Sequence, residues 1–300
     1  MSASATLRYY DKLKVGEPTI SFEIFPPKNP AGWSSLYATL AELSKRSPDF
    51  ISVTYGAGGS TREKTVDLVG RIRRELNIPT IAHLTCVGHS TNELGDILRL
   101  LEAAEIDGVM ALRGDPPKGA AGFTAHPEGF QYASELISFA HHGFAFHIGC
   151  GFYPEKHPEA ESLDADIAAL KVKQDAGAEF AVSQLFFDND TLYRFREKAT
   201  KAGVTMPLVA GIMPVTGLSQ LKRFRELSGT DIPAKLVDFL GAGTDEEITQ
   251  RGVEYGVTQC VDLLEHGIAG VHLYTLNRST STVAITDELR RRGYFPLPSK

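Results

Sequence analysis

The sequence predicts an α/β protein, a single (β/α)8 TIM barrel, and three observations carry that expectation. Eight short runs rich in β-branched and aromatic residues alternate with longer segments of helical periodicity, the pattern of a parallel sheet joined by right-handed crossovers. The chain has 300 residues, and barrels of this kind use about 250 residues as one domain. No Pro/Ser-rich or charged linker divides it, so one closed barrel over 1–300, with 1–18 as an N-terminal lead-in, is favoured over two open domains.

The strand-like runs are Thr19–Phe25, Phe50–Tyr55, Thr80–Cys86, Gly108–Leu112, Phe144–Gly149, Phe180–Phe186, Leu208–Met213 and Gly270–Leu276. Between the first two, Leu36, Leu40 and Leu43 repeat at helical spacing. Ser60 or Thr61 caps a helix over Arg62–Leu76, and Leu94, Ile97, Leu98 and Leu101 line the apolar face of the next. A small-residue loop covers Lys118–Gly122. A helix carrying Asp166, Lys171 and Lys173 follows the fifth run, and Asp188 to Asp190 cap another over Leu192–Ala202.

Composition narrows the function. Hydrophobic residues make up 42% and charged residues 23% of the chain, enough for a large core and too apolar for disorder. A formal net charge of -6 disfavours nucleic acid as a partner. No apolar run is long enough to cross a bilayer and the start lacks a secretory signal, so no membrane partner and a cytoplasmic location are expected. Cys86, Cys150 and Cys260 are few, odd in number and far apart, unlike a disulfide framework or zinc site. His83 and Cys86 lie three apart on a strand, on opposite faces, so no metal is expected.

In a barrel of this type, chemistry sits where strands end and βα loops begin, and polar residues gather there. Strand alternation turns Phe22 and Ile24 outward and leaves Ser21, Glu23 and Phe25 inward. A carboxyl among inward apolar groups should have a raised pKa and hold a proton near neutral pH, as a general acid must. The competing reading is a structural carboxylate paired to a lysine or arginine. Asp115 follows Arg113–Gly114 at the fourth strand end, where it could face a heterocycle or a cationic intermediate; an Asp turn or a pair with Arg113 fits the spacing equally well. Gly56-Ala57-Gly58-Gly59-Ser60-Thr61 misses the dinucleotide fingerprint, because Thr61 stands where the last glycine belongs. Asp166 and Lys173 share a helix face and could hold a ligand's ribityl and diphosphate, or form surface ion pairs. No lysine falls within a strand, against Schiff-base chemistry, and neither G-x-S-x-G nor H-E-x-x-H occurs.

The motifs together resemble the methylenetetrahydrofolate reductase family of bacterial type. They are Ser21-Phe22-Glu23-Ile24-Phe25-Pro26-Pro27, Val53-Thr54-Tyr55-Gly56-Ala57, His83-Leu84-Thr85-Cys86 and Ala111-Leu112-Arg113-Gly114-Asp115. Tyr153-Pro154-Glu155 with His157-Pro158-Glu159, Gln184-Leu185-Phe186-Phe187, Gly211-Ile212-Met213-Pro214-Val215 and Tyr274-Thr275-Leu276-Asn277-Arg278 follow in order. The resemblance implies an enzyme that reduces 5,10-methylenetetrahydrofolate to 5-methyltetrahydrofolate, with FAD as cofactor and NADH or NADPH as co-substrate. The nicotinamide would pass hydride to FAD and leave before the folate takes its place. Carried over by position, Glu23 would be the general acid and Asp115 would place charge near the iminium formed as the folate ring opens. Gln184 would hold pterin or nicotinamide and Arg278 would lie near the folate. Thr54, His83, Arg113, Gly114, Asp115, Tyr132, Tyr153, His157, Asp166 and Lys173 match flavin-contact positions. A homo-oligomer is expected.

Two departures stand out. Leu218 replaces an aromatic residue that many relatives use to cover the substrate, and Ala169 and Val172 stand where some relatives carry Asn and Arg toward FAD. Stacking and flavin grip should both be weaker. No long C-terminal regulatory region is seen, so control by a methyl donor is not expected. The rival readings are a methyltransferase-like folate or pterin barrel enzyme, a flavin-independent reductase, and a folate-binding protein without catalysis.

Overall fold

The computed structural model describes residues 8–55, 62–116 and 122–298. The turn Gly56–Thr61, with its capping Ser60 or Thr61, and all but Gly122 of the small-residue loop lie outside these residues. The eight strands are β1 (Thr19–Ile24), β2 (Phe50–Val53), β3 (Thr80–Thr85), β4 (Gly108–Leu112), β5 (His147–Phe152), β6 (Phe180–Ser183), β7 (Leu208–Ile212) and β8 (Gly270–Tyr274). They close into a barrel in sequence order, all parallel, with β1 paired to both β2 and β8. This is the (β/α)8 TIM barrel.

The helices are α1 (Tyr9–Val15), α2 (Ala31–Ser44), α3 (Arg62–Arg71, running on into a π turn at Ile72–Leu76), α4 (Thr91–Ala103), α5 (Ala133–Gly143) and α6 (Leu163–Asp175). After them come α7 (Asn189–Lys201), α8 (Leu218–Ser228), α9 (Ala234–Leu240), α10 (Asp245–Glu265) and α11 (Thr280–Arg291). Among these, α4 has a complete capping box in which Ser90 and Glu93 satisfy each other's backbone N–H groups, a device contributing about 1 kcal/mol. Its Leu94, Ile97, Leu98 and Leu101 are buried against the sheet, as their spacing predicts. Asp188 precedes α7 without a side-chain capping bond; its carboxylate instead pairs with Lys235 of α9 at 2.6 Å.

Alternation along the strands makes two cores. Outward residues such as Phe22, Ile24, Ile51 and Leu84 pack under the helices. Inward residues Phe50, Ile81, Met110, Phe180, Val182 and Val209 fill the lower half of the barrel. Fully burying one such side chain contributes about 1.5–3 kcal/mol. The lead-in is not merely a lead-in. Its helix α1 sets Tyr9 and Leu13, four residues apart on one face, into this inner core, with the Tyr9 ring 5.0 Å from Phe50. The barrel's N-terminal end is thereby plugged.

Two expectations need correction. The fifth strand begins at His147 and not Phe144. Phe144 caps α5 and stacks on Phe146 at 6.0 Å, while Gly149 and Gly151, poor strand formers by propensity, continue the strand. Gly149 is needed because a Cβ there would come within 2.5 Å of the Phe180 ring. Phe25 lies past the end of β1 and is 39% exposed, so it does not join the inward set. The three cysteines are buried and unbridged; burial pushes the thiols of Cys86 and Cys260 up to about 12 and that of Cys150 to about 11. Among the described residues, no helix is long and apolar enough to cross a membrane and no metal-binding cluster occurs.

Candidate active site

At the C-terminal ends of the strands the barrel opens into a cavity of about 1080 Å³, at the upper end of the sizes typical of cofactor sites. Twelve of the residues singled out from sequence line it: Glu23, Thr54, His83, Arg113, Gly114, Asp115, Tyr132, Tyr153, His157, Asp166, Lys173 and Gln184. Ala169 and Val172 line it as well. Leu218 and Arg278 are not part of this wall. Leu218 begins α8 and is 39% exposed, and Arg278 is exposed beyond β8, its N–H bonded to the Thr275 carbonyl.

Glu23 rises from β1 into the floor of the cavity. Among the described residues no lysine or arginine meets it; its neighbours are two imidazoles, with His83 Nε2 3.6 Å and His272 Nε2 3.8 Å from its Oε2. Both separations exceed hydrogen-bonding distance. His272 is held from below, its Nδ1 2.7 Å from Ser21 Oγ and its Nε2 3.1 Å from Ser52 Oγ, with Phe50 stacked on the ring at 5.5 Å. Burial pushes the His83 imidazole below its ordinary pKa, with His272 adding to the effect and Glu23 opposing it. Its Nε2 and the Thr85 hydroxyl are buried without a hydrogen-bond partner among the described residues, and both residues line the cavity.

The rim is built from the β4 and β5 exits. Gly114 takes φ +89°, and a Cβ there would meet Val87 Cγ1 at 2.6 Å, so only glycine lets the chain turn toward Asp115. Arg113 does not pair with Asp115. Its guanidinium grips Glu159 through two bonds of 2.6 and 3.0 Å and lies 4.8 Å from the Phe123 ring centre. Among the described residues no hydrogen bond occupies the exposed Asp115 carboxylate. Tyr153 and His157 meet edge to face at 4.6 Å. The Tyr153 phenol is pushed up to about 12 by burial and by Asp115 and Asp166, although a bond to Gln184 opposes this. Burial and the nearby Arg113 lower the His157 imidazole, so it is largely neutral at pH 7.

Asp166 and Lys173 share α6 without pairing. Asp166 Oδ2 accepts the His157 backbone N–H at 2.8 Å, and Lys173 Nζ donates to the Gly151 carbonyl at 2.9 Å. Sequence reasoning missed His272 and gave no individual role to Thr85, Glu159 and Tyr274, although it placed Thr85 and Tyr274 among the polar residues at strand ends; all four line the cavity. Inward alternation along β8 was the available signal for His272 and Tyr274, since both sit on the Ser21 and Glu23 side of the register. Tyr274 donates to the Ser183 carbonyl at 2.5 Å.

A methylenetetrahydrofolate reductase family model matches residues 8–290. The chain belongs to this family. It is 35% identical over 276 residues to 5,10-methylenetetrahydrofolate reductase of Escherichia coli K12, with 91% of each chain covered. It is 34% identical over 296 residues to methylenetetrahydrofolate reductase (NADH) 1 of Arabidopsis thaliana, covering 93% of this chain and 50% of that one. The chain thus spans about half the length of the plant relatives it matches. Among solved structures, an uncharacterized Clostridium thermocellum protein that binds two copies of 5-methyl-5,6,7,8-tetrahydrofolic acid superposes with a TM-score of 0.65. The identity is 14% and the match covers 95% of this chain and all of that one; at that identity the likeness shows the fold alone. Glu23, Asp115 and Gln184 line one cavity of this barrel.

Proposed function

We propose that the chain reduces 5,10-methylenetetrahydrofolate to 5-methyltetrahydrofolate, with NADH as hydride source and FAD bound in the cavity. The observation that carries this reading is the Glu23 carboxyl in the cavity floor, with no lysine or arginine among the described residues holding it in a structural pair. The reaction needs a hydride at the bridging carbon and a proton at the amine that leaves it. Glu23 is placed to supply that proton. Asp115, exposed and without a hydrogen bond among the described residues, supplies negative charge where the ring-opened iminium develops.

The lining fits a flavin. His83 Nε2 and Thr85 Oγ1 are buried polar atoms without partners, and such atoms are uncommon unless a ligand or water completes them. Met110, Leu112 and Val182 add apolar wall against which a flat ring can lie. Thr54, His83, Arg113, Gly114, Asp115, Tyr132, Tyr153, His157, Asp166 and Lys173 would hold it. Bound there, FAD would supply a two-electron carrier between nicotinamide and folate. Gln184, at the end of β6, would orient the pterin or nicotinamide. Leu218 and Arg278 follow the β7 and β8 exits outside the cavity wall, and Arg278 would meet the acidic folate tail.

The test is direct. Purified protein should show flavin absorbance that NADH bleaches and methylenetetrahydrofolate restores. Colourless protein with no NADH oxidation by menadione would defeat this reading in favour of a flavin-independent or methyltransferase-like enzyme. Comparing initial rates with NADH and NADPH tests the coenzyme, and light scattering tests the expected homo-oligomer.

A further inference from the structure

We propose that Glu155, which lies outside the cavity wall, is a positioning residue that sets the spacing between Tyr153 and Gln184. The proposal rests on the functional reading above. The loop leaving β5 carries Tyr153 and His157 into the cavity and is anchored on several sides. Glu159 fastens it to Arg113 at the β4 exit, and Asp166 of α6 accepts the His157 N–H. Lys156, at φ +128°, a backbone state uncommon for a residue with a side chain, folds its ammonium back on the carbonyls of His157 and Ala160 at 3.1 and 2.5 Å.

These bonds tie the loop to itself and to the elements before and after it in the β5 unit. Glu155 adds a tie to the next wall. Its carboxylate accepts the Thr230 hydroxyl at 3.2 Å and the Asp231 N–H at 3.0 Å. Both donors sit in the turn between α8 and α9, which Gly229 opens in the left-handed conformation. Thr230 is 2% exposed, and its hydroxyl also lies 3.3 Å from the Leu185 carbonyl. The joint therefore runs from Glu155, two residues past Tyr153, through Thr230 to Leu185, the residue after Gln184.

Above this joint the Gln184 N–H donates to the Phe152 carbonyl at 2.7 Å, and the Tyr153 and Gln184 side chains both line the cavity. One belongs to the flavin-facing set and the other to the folate-facing set. Cutting the joint loosens the β5 loop against the β6 exit without altering any cavity-lining residue. The consequence is weaker binding on both sides, with the chemical step little changed once ligands are seated.

The test uses the full chain with Glu155→Ala, Glu155→Gln and a control, Leu289→Ala, a buried α11 residue remote from the loop in sequence and used to match loss of thermal stability. Flavin Kd is read from quenching of FAD fluorescence on adding apoprotein, and KM and kcat from turnover with methylenetetrahydrofolate. Glu155→Ala should raise flavin Kd and folate KM each by roughly tenfold, with kcat at saturating flavin within about twofold of wild type. Glu155→Gln keeps a carbonyl acceptor for the Asp231 N–H and should recover most of the loss. Leu289→Ala should lower Tm and leave both binding constants unchanged. Wild-type binding constants in Glu155→Ala, or an equal rise in Leu289→Ala at matched Tm, would overturn the proposal. A wild-type protein that binds no flavin would overturn the functional reading and this proposal with it, an outcome readily told apart from the others.

Discussion

Replacing Glu23 by Gln tests the proposed chemistry most sharply, because the structure separates its cost to folding from its cost to catalysis. The carboxylate makes no hydrogen bond shorter than 3.5 Å to its imidazole neighbours, which lie at 3.6 and 3.8 Å. Burial keeps the His83 ring toward its neutral form, so little ion-pair energy is at stake. The amide has nearly the same volume and keeps one acceptor oxygen. We therefore expect a stability change below about 1 kcal/mol, or a Tm shift of about 2–4 °C at most. Loss of a general acid costs about 10²- to 10⁴-fold in rate. Stopped-flow absorbance should show flavin bleaching by NADH at near wild-type speed and recovery with methylenetetrahydrofolate slowed by that factor. Equal loss of both half-reactions, or normal folate turnover, would refute the proton-donor role.

The remaining predictions concern the frame around that residue. Gly114→Ala meets both a left-handed φ and the Val87 side chain, and should cost about 1–3 kcal/mol in urea unfolding together with a loss of flavin retention. Tyr9→Phe removes a buried hydroxyl that has no hydrogen-bond partner among the described residues, so its Tm should hold or rise, whereas Tyr9→Ala should cost about 3–5 kcal/mol. The His83 pKa is lower in the folded chain than its ordinary value. Below about pH 6.5 the unfolded chain binds the extra proton first, so the ring's contribution is intact above that pH and is lost as pH falls toward the folded value. Urea midpoints measured between pH 8 and 5.5 should fall, and His83→Gln should flatten the slope; an unchanged slope would sink this account.

The architecture was readable because strand cores here are β-branched and aromatic runs bounded by turns, and alternation placed Glu23 inward without further help. The reading failed where local composition and tertiary packing disagree. Around β5, aromatic Phe144 and Phe146 look more strand-like than Gly149 and Gly151, yet Gly149 is there because the Phe180 ring needs its space. Helix α1 is too short and polar to announce itself, and only its burial against Phe50 and Phe180 reveals its use. At the site, polar residues at strand ends were visible in sequence, but their partners were not. Arg113 pairs with Glu159, 46 residues away, and His272 reaches Glu23 only because β8 closes against β1.

That helix beneath the barrel has a kinetic corollary. With the base stoppered by Tyr9 among the described residues, a molecule admitted at the upper rim would depart by the way it came, and under the proposed function both substrates would use that opening. If the nicotinamide leaves before the folate enters, double-reciprocal plots at several fixed concentrations of one substrate should run parallel, and an excess of either should slow turnover by obstructing the other.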